Sequence, residues 1–215
     1  MIQRNNDGII MQHNRAYPDY SDGGDSCARC GLMAMAGSKL DQDLLFKFLD
    51  PWGHLVRHPT GEGSPRNPTH ALPEFTSRDN LIQWAAGIQP GDAICQHAAD
   101  KYAGQWFINK DILMFDTKLF LKKKSSIAPP LWLVVLGTAN MFLTLLWACF
   151  VTPDEEQNKT IAMCIAFGPP WIRMLLRWHP DLRKNLETYW GGSEWRNQIE
   201  ISDAIWACVR REALT

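Results

Sequence analysis

From Ser125 to Pro153 the chain carries no Asp, Glu, Lys, Arg or His. So long an uncharged run excludes an ordinary solvated surface segment and leaves a buried helix or a membrane span. Other shortages narrow the class further. The net charge is only −1, so no global field draws in nucleic acid, and none is expected as a partner. Six cysteines spread over 215 residues are too sparse for a secreted disulfide scaffold. Reduced and mostly buried thiols are expected instead. The first twenty residues, with Asn5, Asn6, Asp7, His13 and Asn14, lack the apolar run of a secretory leader, so cytoplasmic synthesis is the expectation. Alternating strand patterns are nearly missing. So are a Walker or nucleotide loop and a Ser-His-Asp order, and no cofactor is expected.

What is present fits one hydrophobic core. Apolar residues make up 46% and charged residues 21%, an ordinary globular balance that excludes disorder as the main state. Ten Trp against four Tyr favour half-buried positions, at core seams, membrane interfaces or carbohydrate platforms. Residues 1–25 are polar and turn-rich. Asp25 or Ser26 can cap a helix through Cys30, Leu32 and Met35 that stops near Gly37. Asp41 to Leu49 reads as a short helix closed by Pro51. Residues 50–76 form a long Pro-rich loop with Pro51, Pro59, Pro65, Pro68 and Pro73, and loops of that length tend to be functional. Ser77 then caps a helix running to about Ile88, with Asp79 placed to meet the helix dipole. Further helices are expected over Asp92–Tyr102, Asp111–Lys124 and Leu131–Val151, the last about 31 Å long at 1.5 Å per residue. Apolar segments follow at Thr160–Phe167 and Trp171–Trp178, and an amphipathic helix at Glu194–Arg211. The expected fold is all-α: an irregular multi-helix domain with a long Pro-rich loop and a long central apolar helix. Residues 1–125 carry the polar motifs. Residues 126–215 hold the apolar and amphipathic helices, packed with the first part as one unit.

Three polar blocks carry the candidate chemistry. They are Asp22-Gly-Gly-Asp25-Ser26 with Arg29, then Arg57-His58-Pro59, then Ser77-Arg78-Asp79. As a network, Asp22, Asp25, Ser26, Arg29, Arg57, His58, Ser77, Arg78 and Asp79 would tie the loop to the helical core. Such a network is costly to desolvate yet fixes one geometry. As an enzyme, Asp22, Asp25, His58, Arg78 and Asp79 would supply acids, bases and an anion clamp. A calcium loop on Asp19, Asp22, Asp25 and Ser26 lacks its bidentate Glu, because Cys30 stands at the twelfth position. Cys27, Cys30, Cys95 and His97 are zinc-type ligands, but Cys95-x-His97 is an uncommon spacing and Cys27-x-x-Cys30 sits in a helical stretch. No metal is therefore assigned. Lys122-Lys123-Lys124 reads as a solvated helix end. In the membrane reading the same triplet flanks a span over 129–151, with Asp154–Glu156 on the far side.

Together, Asp22-Gly-Gly-Asp-Ser26 with Arg29, Arg57-His58-Pro59, Ser77-Arg78-Asp79-Asn80, and the Pro129-Pro130 apolar helix followed by Asp154 to Asn158 resemble an uncharacterised helical family of tailed-phage and bacterial open reading frames. The resemblance covers about residues 18–190. Cys27 and Cys30 are not part of its pattern. It implies a setting: a structural or adaptor protein of a phage particle or tail, made in the host cytoplasm. Its partners would be other virion proteins, with a homo-oligomer as a further form. A glycan-active hydrolase or lyase on a helical scaffold and a membrane hairpin protein are the competing expectations.

Overall fold

The computed structural model describes residues 2–13, 21–61 and 71–150, with only the backbone described at residues 12, 13, 21, 22, 145 and 147–150. The described chain is mostly helical, in the order β1 (Gln12–His13), β2 (Ser21–Asp22), α1 (Ser26–Met35), α2 (Lys39–Leu44), α3 (Arg78–Ala86), α4 (Ala93–Ala103), β3 (Phe107–Ile108), β4 (Asp111–Ile112), α5 (Phe115–Lys124) and α6 (Leu131–Phe150). Antiparallel pairing joins β1 to β2 and β3 to β4.

The core draws on α1, on the turn that follows α2, and on α3, α4 and α5. Trp84, Phe48, Leu45, Leu55 and Leu81 are fully buried there, and the Trp84 indole N–H donates to the Leu45 carbonyl at 3.0 Å. The crossing of α1 and α3 is unusually close. A Cβ on Gly31 would lie 2.2 Å from the Gln83 carbonyl oxygen and 2.5 Å from the Trp84 Cα. One on Gly87 would lie 2.6 Å from the Gly31 carbonyl oxygen. The two backbones therefore touch, which only glycine permits.

The polar N-terminus does more than its composition suggests. Its chain doubles back through an Arg4–Ile10 bridge and inserts Ile9, Ile10 and Met11 into the core. Arg4 then reaches Asp41 of α2, whose side chain is fully buried. Ser38 caps α2, its hydroxyl accepting from the Asp41 N–H and donating to the Asp41 carboxylate.

Three expectations need correction. Residues 111–114 are not helical: the chain turns at Asn109-Lys110, Asp111 and Ile112 pair back on Phe107 and Ile108, and α5 starts only at Phe115. The basic triplet is not simply a solvated end. Lys122 pairs with Asp100 of α4, and Lys124 donates to the carbonyls of Ala86 at 2.7 Å and Ile88 at 3.3 Å, where α3 ends and a cation suits its dipole. Finally, α6 is not a central core helix. Its 20 residues carry no charge, but it packs to one side, against α5. At that contact a Cβ on Gly137 would come within 2.7 Å of Leu119 Cβ and 2.8 Å of the Phe115 carbonyl oxygen. Among the described residues no helix is long and apolar enough to cross a membrane. The expected segments at Thr160–Phe167, Trp171–Trp178 and Glu194–Arg211 lie outside the described residues.

Candidate functional site

The polar blocks meet at the N-termini of α1 and α3. Sequence explains why. Ser77 caps α3 in a reciprocal box with Asn80: the Ser77 hydroxyl accepts from the Asn80 N–H at 3.3 Å, and Asn80 Oδ1 accepts from the Ser77 N–H at 3.4 Å. This fixes the Asn80 amide, which donates to Asp25 Oδ1 at 3.1 Å across 55 residues of sequence. Arg57 completes the node from the loop. Its Nη1 lies 3.7 Å from Asp25 Oδ1 and donates to the Gly24 carbonyl at 3.2 Å, while Nε donates to the Phe75 carbonyl at 2.6 Å. The Arg57 carbonyl in turn accepts the Cys27 N–H at 3.0 Å. Arg57 thus joins the start of α1, the loop and the approach to α3.

Around this node the other candidates scatter. The Ser26 hydroxyl donates to the Ile10 carbonyl at 2.6 Å, bolting α1 to the N-terminal hairpin. Arg29 is buried on α1. His58 is fully buried, with Nδ1 held 3.3 Å from both the N–H and the hydroxyl of Thr60. Arg78 makes other contacts: its backbone N–H donates to Asp111 Oδ2 at 2.8 Å, and its guanidinium sits 3.9 Å from Asp79. Asp22 lies on β2, opposite Gln12, and its side chain is outside the described set. The structure therefore brings together Asp25, Arg57, Ser77 and Asn80. Two hollows on the described surface, of about 610 and 520 Å³, are lined by none of the nine network candidates.

Asn80, Asp111 and Asp41 were not singled out by the sequence. Only Asn80 had a usable signal, because Ser-x-x-Asn at a helix start matches the capping-box spacing.

The zinc candidates do not assemble. Among the described residues no group of three or more His, Cys, Asp or Glu side chains is placed to hold a metal ion. Cys27 and Cys30 are fully buried on α1, and Cys95 is buried on α4. Burial pushes all three thiols well above their ordinary range. His97 faces outward on α4, beside the larger hollow.

One surface stands out. Helix α6 turns Leu133, Gly137, Thr138, Asn140 and Thr144 toward the domain or half-buried, and leaves Trp132, Val135, Leu136, Phe142, Leu143 and Leu146 exposed. Those six recur three or four residues apart along one side, with Ala139 between them, so they form a continuous apolar stripe. Among the described residues of this helix Leu133 and Gly137 are buried, and most of its large apolar groups face outward. At the start of the helix, Phe115 contacts Trp106 and Trp132 edge-to-face at 5.7 and 6.5 Å, and the Lys118 ammonium lies 3.5 Å from the Trp106 ring centre.

The chain matches no protein-family model, no curated protein and no solved structure.

Proposed function

We propose that the chain is a helical structural or adaptor protein that works through protein–protein contacts. The outward apolar stripe of α6 carries this reading. A contiguous exposed row of large apolar side chains costs solubility and usually marks an interaction surface. The polar node favours the same reading by its wiring: Asp25, Arg57, Ser77 and Asn80 spend their bonding groups on one another and on backbone, as ties between segments do. A glycan-active site fares less well, because His58 is fully buried and the Arg78 guanidinium sits beside Asp79.

The tailed-phage particle, with other virion proteins as partners, is the setting implied by the Asp22-to-Arg29, Arg57-His58-Pro59 and Ser77-to-Asn80 blocks. A membrane reading draws on the outward apolar stripe of α6 and the small residue, Gly137, at its contact with α5, a pattern familiar from helices in lipid. Against it, α5 lies directly on α6 at Gly137, and α5 bears Asp116, Lys118, Lys122, Lys123 and Lys124, which hydrocarbon would exclude.

Mass spectrometry of purified particles tests the proposal, together with a Val135→Glu/Leu143→Glu chain. The expected result is stoichiometric presence of the native chain and loss of the variant from particles, at unchanged helical content. Absence from particles, or recovery only in carbonate-resistant membranes, would overturn it.

A further inference from the structure

The exposed stripe of α6 has an internal order that says what fits it. Trp132, Ala139 and Leu146 stand seven residues apart, as do Val135 and Phe142, and Leu136 and Leu143. All of them are exposed. A seven-residue recurrence of outward apolar side chains is the pattern by which one helix seats its side chains between those of another. The complement of this stripe is therefore a helix rather than a loop or a small molecule.

The order also reads the same from either end. Ala139, the smallest of these side chains, stands at the centre. Leu136 and Phe142 lie three residues to either side of it, Val135 and Leu143 four, and Trp132 and Leu146 seven. Turned end for end about Ala139, the stripe sets apolar on apolar at every position. Two methyl groups at the centre let the helix axes come close, since axial separation follows the side chains at the contact. Charge raises no objection, because α6 carries no Asp, Glu, Lys or Arg and a twofold axis across it brings no like charges together. Size agrees as well. The stripe exposes on the order of 700 Å², above the ~300–600 Å² of the largest patch on a typical monomer and close to the ~800 Å² that one partner gives to a standard interface.

We propose that the stripe is a homodimer interface, in which α6 of a second copy packs antiparallel across α6 on a twofold axis at Ala139. Trp132 then meets Leu146 of the other copy, Val135 meets Leu143, and Leu136 meets Phe142. This rests on reading the stripe as a protein-contact surface, and it names the occupant. Sedimentation of the full chain should give twice the chain mass. Val135→Glu/Leu143→Glu should sediment as a monomer at unchanged helical content. Trp132→Ala should raise the dimer dissociation constant roughly tenfold or more, as loss of an interface Trp does. Cysteine placement reads the geometry without a disruptive charge. Under mild oxidation Ala139→Cys should bridge to itself across two copies, and Val135→Cys alone should not. A mixture of Val135→Cys and Leu143→Cys chains should give the 135–143 bridge, told apart from the native cysteines by peptide mass spectrometry. Self-bridging of Val135→Cys would mean parallel helices and would overturn the antiparallel interface. A monomeric parent chain would overturn the dimer itself. In that monomer, rapid alkylation of the Val135→Cys thiol would leave the stripe to a different protein, and slow alkylation would assign it to residues 151–215. A monomer still present in purified particles would leave the proposed function standing, so the two failures are distinguishable.

Discussion

Arg4 grips Asp41 with two parallel bonds, Nη1 to Oδ1 at 2.8 Å and Nη2 to Oδ2 at 2.7 Å, while the Asp41 side chain is wholly shielded from water. Arg4 Nη1 also donates to the Gly8 carbonyl at 2.7 Å, so one guanidinium shapes the N-terminal hairpin and fastens it to α2. Removing it strands a buried carboxylate. Arg4→Met should therefore cost about 3–5 kcal/mol in denaturant unfolding. The pair Arg4→Met/Asp41→Leu should recover most of that, since neither charge is then left alone. A single-variant loss below ~1 kcal/mol would show the pair to be a surface-like contact instead.

Gly31→Ala should invert the usual sign of a helical Gly-to-Ala change. Such a change in an open helix gains about 0.5–1 kcal/mol. Here the new methyl would meet the α3 backbone at 2.2 Å, and backbone cannot step aside as a side chain can. A loss of at least ~3 kcal/mol is expected, at or above the upper end for overpacked sites. Gly104→Ala, whose nearest neighbour is the Lys101 carbonyl oxygen at 3.3 Å, should stay within ~1 kcal/mol of the parent. Comparable losses at both positions would mean that α1 and α3 are not in contact.

Alkaline pH should destabilise the fold. Burial raises Cys27, Cys30 and Cys95 above their ordinary value of 9.0, and Tyr102 is pushed up to about 12 by burial. Each is an acid that keeps its proton longer when folded, so its contribution is complete below the unfolded value and is lost as pH rises past it. Lys118 runs the other way, because burial lowers its value. Four groups against one predict stability falling from about pH 9 upward. Equilibrium unfolding across that window checks it, with flat or rising stability as the contrary result. The three thiols should also resist alkylation at pH 8 until the chain is unfolded.

At the polar node, Asn80 should matter more than Asp25. Asn80 is almost fully buried and bonds both Ser77 and Asp25, whereas the Asp25 side chain is 41% exposed. Asn80→Ala is expected to cost roughly 1–3 kcal/mol, and Ser77→Ala about 0.5–2 through the lost cap. Asp25→Asn should cost no more than about 1, because Arg57 keeps its two carbonyl acceptors and the pair is partly screened by water. If Asp25→Asn proves the most damaging of the three, the carboxylate rather than the amide organises this corner.

Local chemistry was the legible part. Ser77 and Asp92 announce α3 and α4 because a cap and the helix it starts are adjacent in sequence. The convergence of the blocks around Asp25 and Arg57 was readable too, since charges near a helical core need partners. What stayed hidden is non-local or too short. Arg4 and Asp41 are 37 residues apart, and no spacing rule links them. Strands of two residues, as at Phe107–Ile108, cannot display an alternation. In α6 nearly every residue is apolar, so composition gave the helix but not the side it shows. The inward placement of Gly137 follows from the contact with α5, not from hydrophobicity.

The backbone contact between α1 and α3 also sets how kin of this chain would be recognised. Surface motifs drift with partners, and apolar core positions exchange among Leu, Ile and Met at little cost. Two touching helices allow no such exchange. The methyl of Ala34 already lies 2.7 Å from where a Gly87 Cβ would stand, so the triplet Gly31, Ala34 and Gly87 forms a steric lock that no larger residue can enter. A distant relative that has lost every charged block discussed above should still show glycine, two intervening residues, alanine or glycine, and a further glycine at the end of its third helix.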